Sequence, residues 1–91
     1  MNKVRRNAIT KLIERTEELR SILEELRLDI EAIRDEEQEA FDNLPESFQE
    51  GERGEAMENA IEYLEEAISS FEDEAESALE SAVEALENAK E

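Results

Sequence analysis

Apolar residues recur at intervals of three and four positions along the first part of this chain of 91 residues. Such spacing places an apolar stripe along one face of a helix, as in the seam of a coiled coil. The stripe contains one polar member, Thr16, and charged residues flank it. We therefore expect a long helix over about residues 3–41 whose seam is formed by Ile9, Leu12, Thr16, Leu19, Leu23, Leu26, Ile30 and Ile33.

A break and a second stripe follow. Pro45 disfavours helical backbone at the residue before it, and Gly51 and Gly54 are the only glycines of the chain. We place a connector over residues 42–53 and a second helix over about residues 54–89, within a single helical domain spanning residues 1–91. The second stripe comprises Met57, Ile61, Leu64, Ile68, Phe71, Ala75, Leu79, Ala82, Val83 and Leu86.

Two helices of similar length with a short connection favour antiparallel packing. The sequence therefore predicts an all-α fold, an antiparallel two-helix coiled-coil hairpin. Further apolar residues beside each stripe favour a homodimer of hairpins that forms a four-helix bundle. The alternative is a monomer in which the residues of the hairpin tip close the open end of the seam. These tip residues are Leu44, Pro45 and Phe48.

Charge is divided unequally along the chain, which carries 28 acidic and 10 basic side chains for a net charge of −18. Six of the basic side chains lie within residues 1–20. Folding the chain back about residues 47–48 predicts ion pairs between the helices that fix their register. The expected pairs are Lys11 with Glu84, Arg15 with Glu80, Arg20 with Glu76, Arg27 with Glu66 and Arg34 with Glu62. A separate basic docking site is the alternative interpretation.

Composition excludes most catalytic chemistry. The chain has no His and no Cys, so it lacks a Ser-His-Asp set, a thiolate nucleophile and a thiolate metal site, and it has no Gly-rich phosphate loop. No segment matches a signal peptide or a transmembrane span, which predicts a cytoplasmic protein. A charge of −18 repels nucleic acid and anionic membranes. We expect a non-enzymatic protein without a cofactor or metal, whose partner is a protein with a basic surface.

Carboxylates near the hairpin tip are the one arrangement that could support metal chemistry, because they are ligands for Mg²⁺ and Mn²⁺. Glu36, Glu39 and Asp42 recur at intervals of three, with Glu55 and Glu58 across the turn. Glu36-x-x-Glu39 resembles the first half of the metal motif of MazG-type nucleotide pyrophosphohydrolases. This resemblance implies a carboxylate-metal nucleotide hydrolase as an alternative function. The second half of the motif, E-x-x-D, is absent from the second helix, which favours solvated surface charge.

A row of acids on the second helix is the candidate binding surface. Like charges four residues apart destabilise a helix by a few tenths of a kcal/mol each, a cost that solubility alone does not require. At about 6 Å per step along the axis, the row is similar in spacing to the charges of a nucleic-acid backbone and is suited to a basic groove. The candidate partner-binding residues are Glu72, Asp73, Glu76, Glu80 and Glu84. A solvated face, or a structural or assembly module acting through homo-oligomerisation, are the alternatives.

Residues 43–49 of the connector and residues 52–58 and 60–67 of the second helix form one turn-and-helix segment. This middle third of the chain resembles short acidic helical proteins of Firmicutes and their phages. It implies a phage or mobile-element setting and no activity. In that setting, the acidic row described above predicts an inhibitor of a host or defence protein. The resemblance assigns no role to individual residues.

Overall fold

The computed structural model describes residues 1–91 as five consecutive helical segments with no strand. These are α1 (Lys3–Asp42), α2 (Glu46–Gln49), α3 (Glu52–Ser69), a π-helical segment (Ser70–Ala75) and α4 (Glu76–Ala89). The backbone stays helical through Ser69 and through Glu76, so residues 52–89 form one continuous rod, the second arm. The prediction of an all-α fold is confirmed.

Side chains satisfy backbone groups at both ends of α1. At its start the Asn2 carboxamide oxygen accepts a hydrogen bond from the Arg5 backbone N–H at 2.9 Å. At its end the Gln49 Nε2 donates to the carbonyl oxygens of Phe41 and Leu44, each at 3.0 Å. The last carbonyls of a helix have no partner within the helix. Gln49 on α2 therefore closes the C-terminal end of α1.

The two arms lie side by side and run in opposite directions. Helix α1 packs along α3, the π-helical segment and α4. At the end of the rod opposite the connector, Arg6 Nε donates to the Lys90 carbonyl oxygen at 3.0 Å, and Lys90 Nζ donates to Thr10 Oγ1 at 3.5 Å. The molecule is accordingly a thin rod with principal extents of 69 × 15 × 12 Å.

The interior of this rod is small. The buried apolar side chains are Ile13 on α1 and Ile61 and Ile68 on α3. Together with Ile13, half-buried residues form a line along α1 with a strict spacing of three and four. The half-buried members of this line are Ile9, Thr16, Arg20, Leu23, Arg27, Ile30, Arg34, Glu37 and Phe41. None of the helices contains an apolar stretch long enough to cross a membrane.

The predicted seam of α1 is wrong at every second position. Ile9, Thr16, Leu23 and Ile30 face the second arm as expected, but their predicted neighbours remain 44–54% exposed, namely Leu12, Leu19, Leu26 and Ile33. The residues that follow these four along the chain enter the seam instead: Ile13, Arg20, Arg27 and Arg34. The three arginine side chains retain only 21–29% of their exposure. Their aliphatic stems cover the seam while the guanidinium groups stay at the surface.

The predicted ion pairs between the arms are also wrong, because every ion pair within 4.0 Å lies inside one arm. The pairs are Arg20–Glu17 at 3.3 Å, Arg27–Glu31 at 3.1 Å, Arg34–Asp35 at 3.0 Å and Lys90–Glu87 at 3.4 Å. An acid on the same helix and close in sequence stays within reach of the arginine whatever the second arm does. The basic residues at the start of α1 consequently have no acidic partner.

The π-helical segment shifts the seam of the second arm by one residue. Before it, buried and half-buried positions alternate by three and four, from Gly54 to Phe71. After Phe71 they continue at steps of four through Ala75, Leu79 and Val83. The Glu76 N–H donates to the carbonyl of Phe71, five residues earlier, so the wider turn absorbs one extra residue. The segment thereby keeps Leu79 and Val83 facing α1.

Candidate interaction surfaces

All five acids predicted to bind a partner are exposed, and none takes part in an ion pair. Glu76, Glu80 and Glu84 lie on α4 at intervals of four residues, so they form one row along its surface. Glu72 and Asp73 lie in the π-helical segment. Glu72 directly follows Phe71, just as the other three follow Ala75, Leu79 and Val83 of the seam, so it extends the row, and Asp73 lies one residue off it. The structure therefore aligns four of the five predicted residues.

The row continues across the seam onto α1. A groove of about 210 Å³ is lined by Glu76 from α4 and by Glu17, Arg20, Ser21 and Glu24 from α1. Arg20 is the only basic residue in this groove, and its guanidinium is bound to Glu17. Sequence reasoning missed the two acids on α1, although their spacing of seven residues places both on one face. We define the acidic strip as Glu17, Glu24, Glu76, Glu80 and Glu84.

The exposed apolar residues of α1 form a second surface, the leucine column, defined as Leu12, Leu19, Leu26 and Ile33. A spacing of seven residues, two helical turns, aligns them along α1. An open groove of about 450 Å³ beside Leu12 and Leu19 is lined only by α1 residues and includes half-exposed Ile22. The second arm therefore leaves this side of α1 uncovered.

The acidic strip and the leucine column lie on opposite flanks of the α1 seam. Each residue advances about 100° around a helix axis. Relative to Arg20 in the seam, Glu17 and Glu24 lie about 40–60° to one side, whereas Leu19 lies about 100° to the other. The rod thus presents one acidic side and one apolar side.

The hairpin tip differs from a plug that closes the seam. Leu44 is half-buried and Pro45 is exposed, but the Phe48 side chain is 55% exposed, so the expectation that it plugs the end of the seam is wrong. The Pro45 carbonyl instead accepts a hydrogen bond from the Phe48 N–H at 2.8 Å, which starts the single turn of α2. Pro45 therefore positions α2, whose Gln49 closes α1.

The tip carboxylates do not converge. No three acidic side chains lie close enough together to hold a metal ion, and this includes Glu36, Glu39, Asp42, Glu55 and Glu58. The Asp42 carboxylate instead accepts a hydrogen bond from Gln38 Nε2 at 3.0 Å. The resemblance of Glu36-x-x-Glu39 to a metal motif therefore has no assembled ligand set in this fold.

No protein-family model matches the chain, and no curated protein or solved structure shows significant similarity to it.

Proposed function

We propose that this chain is a non-enzymatic acidic interaction protein of the cytoplasm that binds a basic surface of another protein. The observation that supports this proposal is the acidic strip, which is exposed along one side of the rod and lacks neutralising partners on the opposite arm. In the setting that the connector sequence suggests, a phage or mobile element, such a protein would inhibit a host or defence factor.

The electrostatics of the strip suit this role. Of the five carboxylates of the strip only Glu17 is ion-paired, to Arg20 of its own helix. The other four keep their attraction for a basic partner, and the net charge of −18 accelerates encounter with it. Glu76, Glu80 and Glu84 span about 12 Å along α4 at about 1.5 Å per residue. The principal extents of 69 × 15 × 12 Å make the rod several times longer than it is wide, a shape that suits an extended groove.

A capture experiment with a charge-matched control tests this proposal. The immobilised wild-type protein is compared with the Glu76→Gln, Glu80→Gln, Glu84→Gln variant in a lysate of the cognate host. The control, Glu58→Gln, Glu62→Gln, Glu65→Gln, removes the same charge from exposed positions of α3. We expect one protein to be retained at about 50 mM NaCl, released at about 0.5 M, and lost only with the first variant. Equal loss with both variants, or retention at about 1 M salt, would contradict the proposal.

A second candidate function, a structural or assembly module, is favoured by the leucine column. In this candidate the two arms act as an antiparallel coiled-coil hairpin, and a homodimer of hairpins forms a four-helix bundle. Four half-exposed aliphatic side chains in one line exceed what isolated surface hydrophobic residues would explain. Sedimentation equilibrium at several concentrations tests it, since a concentration-independent monomer would exclude self-association.

A further inference from the structure

We propose that the leucine column is the contact by which a second copy of this chain docks, with α1 lying against α1 in the antiparallel direction. The inference rests on the self-association candidate and does not depend on binding by the acidic strip. It adds the face that is used, the direction of the second copy and the residue pairs that meet.

The leucine column is complementary to itself when one copy is reversed. A two-fold axis near Ile22 brings Leu19 level with Leu26 of the second copy, and Leu12 level with Ile33. Each apolar residue of the column then meets another, and each such contact occurs twice. This is the self-complementary pattern that a symmetric dimer requires.

Charges beside the column favour the same direction. The exposed basic residues beside it all lie in its N-terminal half, together with the acid Glu18, whereas the charged residues beside its C-terminal half are acids only. The residues compared are Arg5, Lys11 and Arg15 in the first half and Asp29, Glu36 and Glu39 in the second. None of these six side chains has an ion-pair partner within its own chain. The reversed arrangement places Arg15 level with Asp29 of the second copy. A parallel arrangement would instead set like charges against each other, which is unfavourable.

The position of the column leaves room for the second copy. The column lies about 80° around α1 from the middle of the seam, at about 100° per residue, so the second copy does not displace the second arm. Helices that contact two neighbours at roughly a right angle occupy the corners of a four-helix bundle. The seam buries arginine stems, whereas the aliphatic side chains of the column stay exposed. Burial of these side chains by a second copy is therefore favourable.

The face is tested by sedimentation equilibrium of the full chain. Leu19→Glu places two charges in the symmetric contact, whereas Leu28→Glu adds the same charge at a 50% exposed leucine on another face of α1. We expect the wild type and Leu28→Glu to form dimers, and Leu19→Glu to raise the dissociation constant at least about tenfold. A monomeric wild type, or equal weakening by both substitutions, would overturn the proposal.

The direction is tested by disulfide cross-linking, for which a chain without cysteine is suited. Leu12→Cys and Ile33→Cys are each oxidised alone and then as an equal mixture. Cysteines must approach with Cα atoms within about 7 Å to form a bond. In the antiparallel dimer, residues 12 of the two copies lie about 30 Å apart along the axis, so only the mixture should cross-link.

Rapid cross-linking of Leu12→Cys to itself would show a parallel dimer and overturn the direction, although the self-association candidate would stand. A monomeric wild type would contradict both the docking proposal and the self-association candidate. The capture experiment on the acidic strip is unaffected by either result, so the two functions fail separately.

Discussion

The backbone of Gln49 lies so close to Gly54 that no side chain fits between them. A Cβ at position 54 would lie 2.5 Å from the carbonyl carbon and 2.6 Å from the Cα of Gln49. The side chain of the same Gln49 donates to the carbonyl of Phe41, in the last turn of α1, and to that of Leu44 just beyond the helix. Gln49 thus joins α2 to both arms, and the connector fixes how the chain reverses.

We expect Gly54→Ala to destabilise the fold, because the added methyl group would overlap backbone atoms that cannot rotate away. Overpacking of this kind costs about 1–3 kcal/mol or more, against a gain of about 1 kcal/mol in helix propensity. A net loss on the order of 1–2 kcal/mol would lower the midpoint of thermal unfolding by about 4–15 °C. Circular dichroism measures this midpoint.

Gly51→Ala is the matched control. A Cβ there would meet only ordinary contacts, 3.6 Å from the Ser47 carbonyl oxygen and 3.7 Å from that of Phe48. Alanine is a poorer N-cap residue than glycine, which costs about 0.5 kcal/mol, but it lowers the entropy of the unfolded chain, which gains about the same amount. An equal loss of stability in both variants would show that crowding at Gly54 is not the cause.

Gln49→Glu should also destabilise the protein, since it sets a carboxylate against two carbonyl oxygens at the negative end of α1. Two hydrogen bonds, each contributing about 0.5–1.5 kcal/mol, would be lost, and the helix dipole adds a smaller penalty. Asn59→Asp adds the same charge at an exposed position of α3 and serves as the control. Urea titration of both variants should place the midpoint of Gln49→Glu clearly lower; coincident midpoints would argue against the capping role.

Deletion of Asp73 should be tolerated, because it removes the extra residue that the π-helical segment absorbs. The residues around it could then form regular α-helix, with Leu79 and Val83 still facing α1. We expect unchanged helicity and a free energy of unfolding within about 1 kcal/mol of the wild type.

Deletion of Glu62 is the comparison. It turns the following positions by about 100°, so Leu64 and Ile68 leave the seam at a cost of about 1.5–3 kcal/mol each. Thermal unfolding of the two deletions should differ widely; similar destabilisation would indicate that the π-helical segment does not correct the register.

Added salt should stabilise the fold, because no ion pair joins the arms and the net charge is −18. Raising NaCl from about 20 mM to 0.5 M screens repulsion among the acids, and we expect a rise in the unfolding midpoint of about 5 °C. The Leu19→Glu background avoids a contribution from self-association. Ion pairs across the seam would give the opposite sign, a fall in the midpoint.

The helical character of the chain was predictable, whereas the face that α1 turns to the second arm was not. The predicted seam and the observed seam share Ile9, Thr16, Leu23 and Ile30. The residues between these four differ: the predicted seam uses Leu12, Leu19, Leu26 and Ile33, and the observed seam uses the residue that follows each of them. Apolar content favours Leu19 over Arg20, yet the long stem of arginine also covers apolar surface. The choice depends on the partner helix, which local periodicity does not describe.

The sequence contains a sign of the π-helical segment, a change in the spacing of the apolar residues, but this change alone does not locate the segment. Phe71, Ala75, Leu79 and Val83 are spaced by four, so a strict repeat of seven fails there. Such a step indicates one additional residue but leaves open where the helix widens. The bond from Glu76 to Phe71 identifies that position.

Only four of the 91 residues are buried, so few substitutions in this molecule can disrupt a packed interior. Packing should restrict variation strongly at few sites beyond Gly54 and the three isoleucines. A library of all single substitutions, sorted first for folding and then for binding, would therefore separate the two requirements cleanly. Because nearly all residues of this protein are at the surface, positions where substitution abolishes binding but not folding would identify the residues that contact a partner.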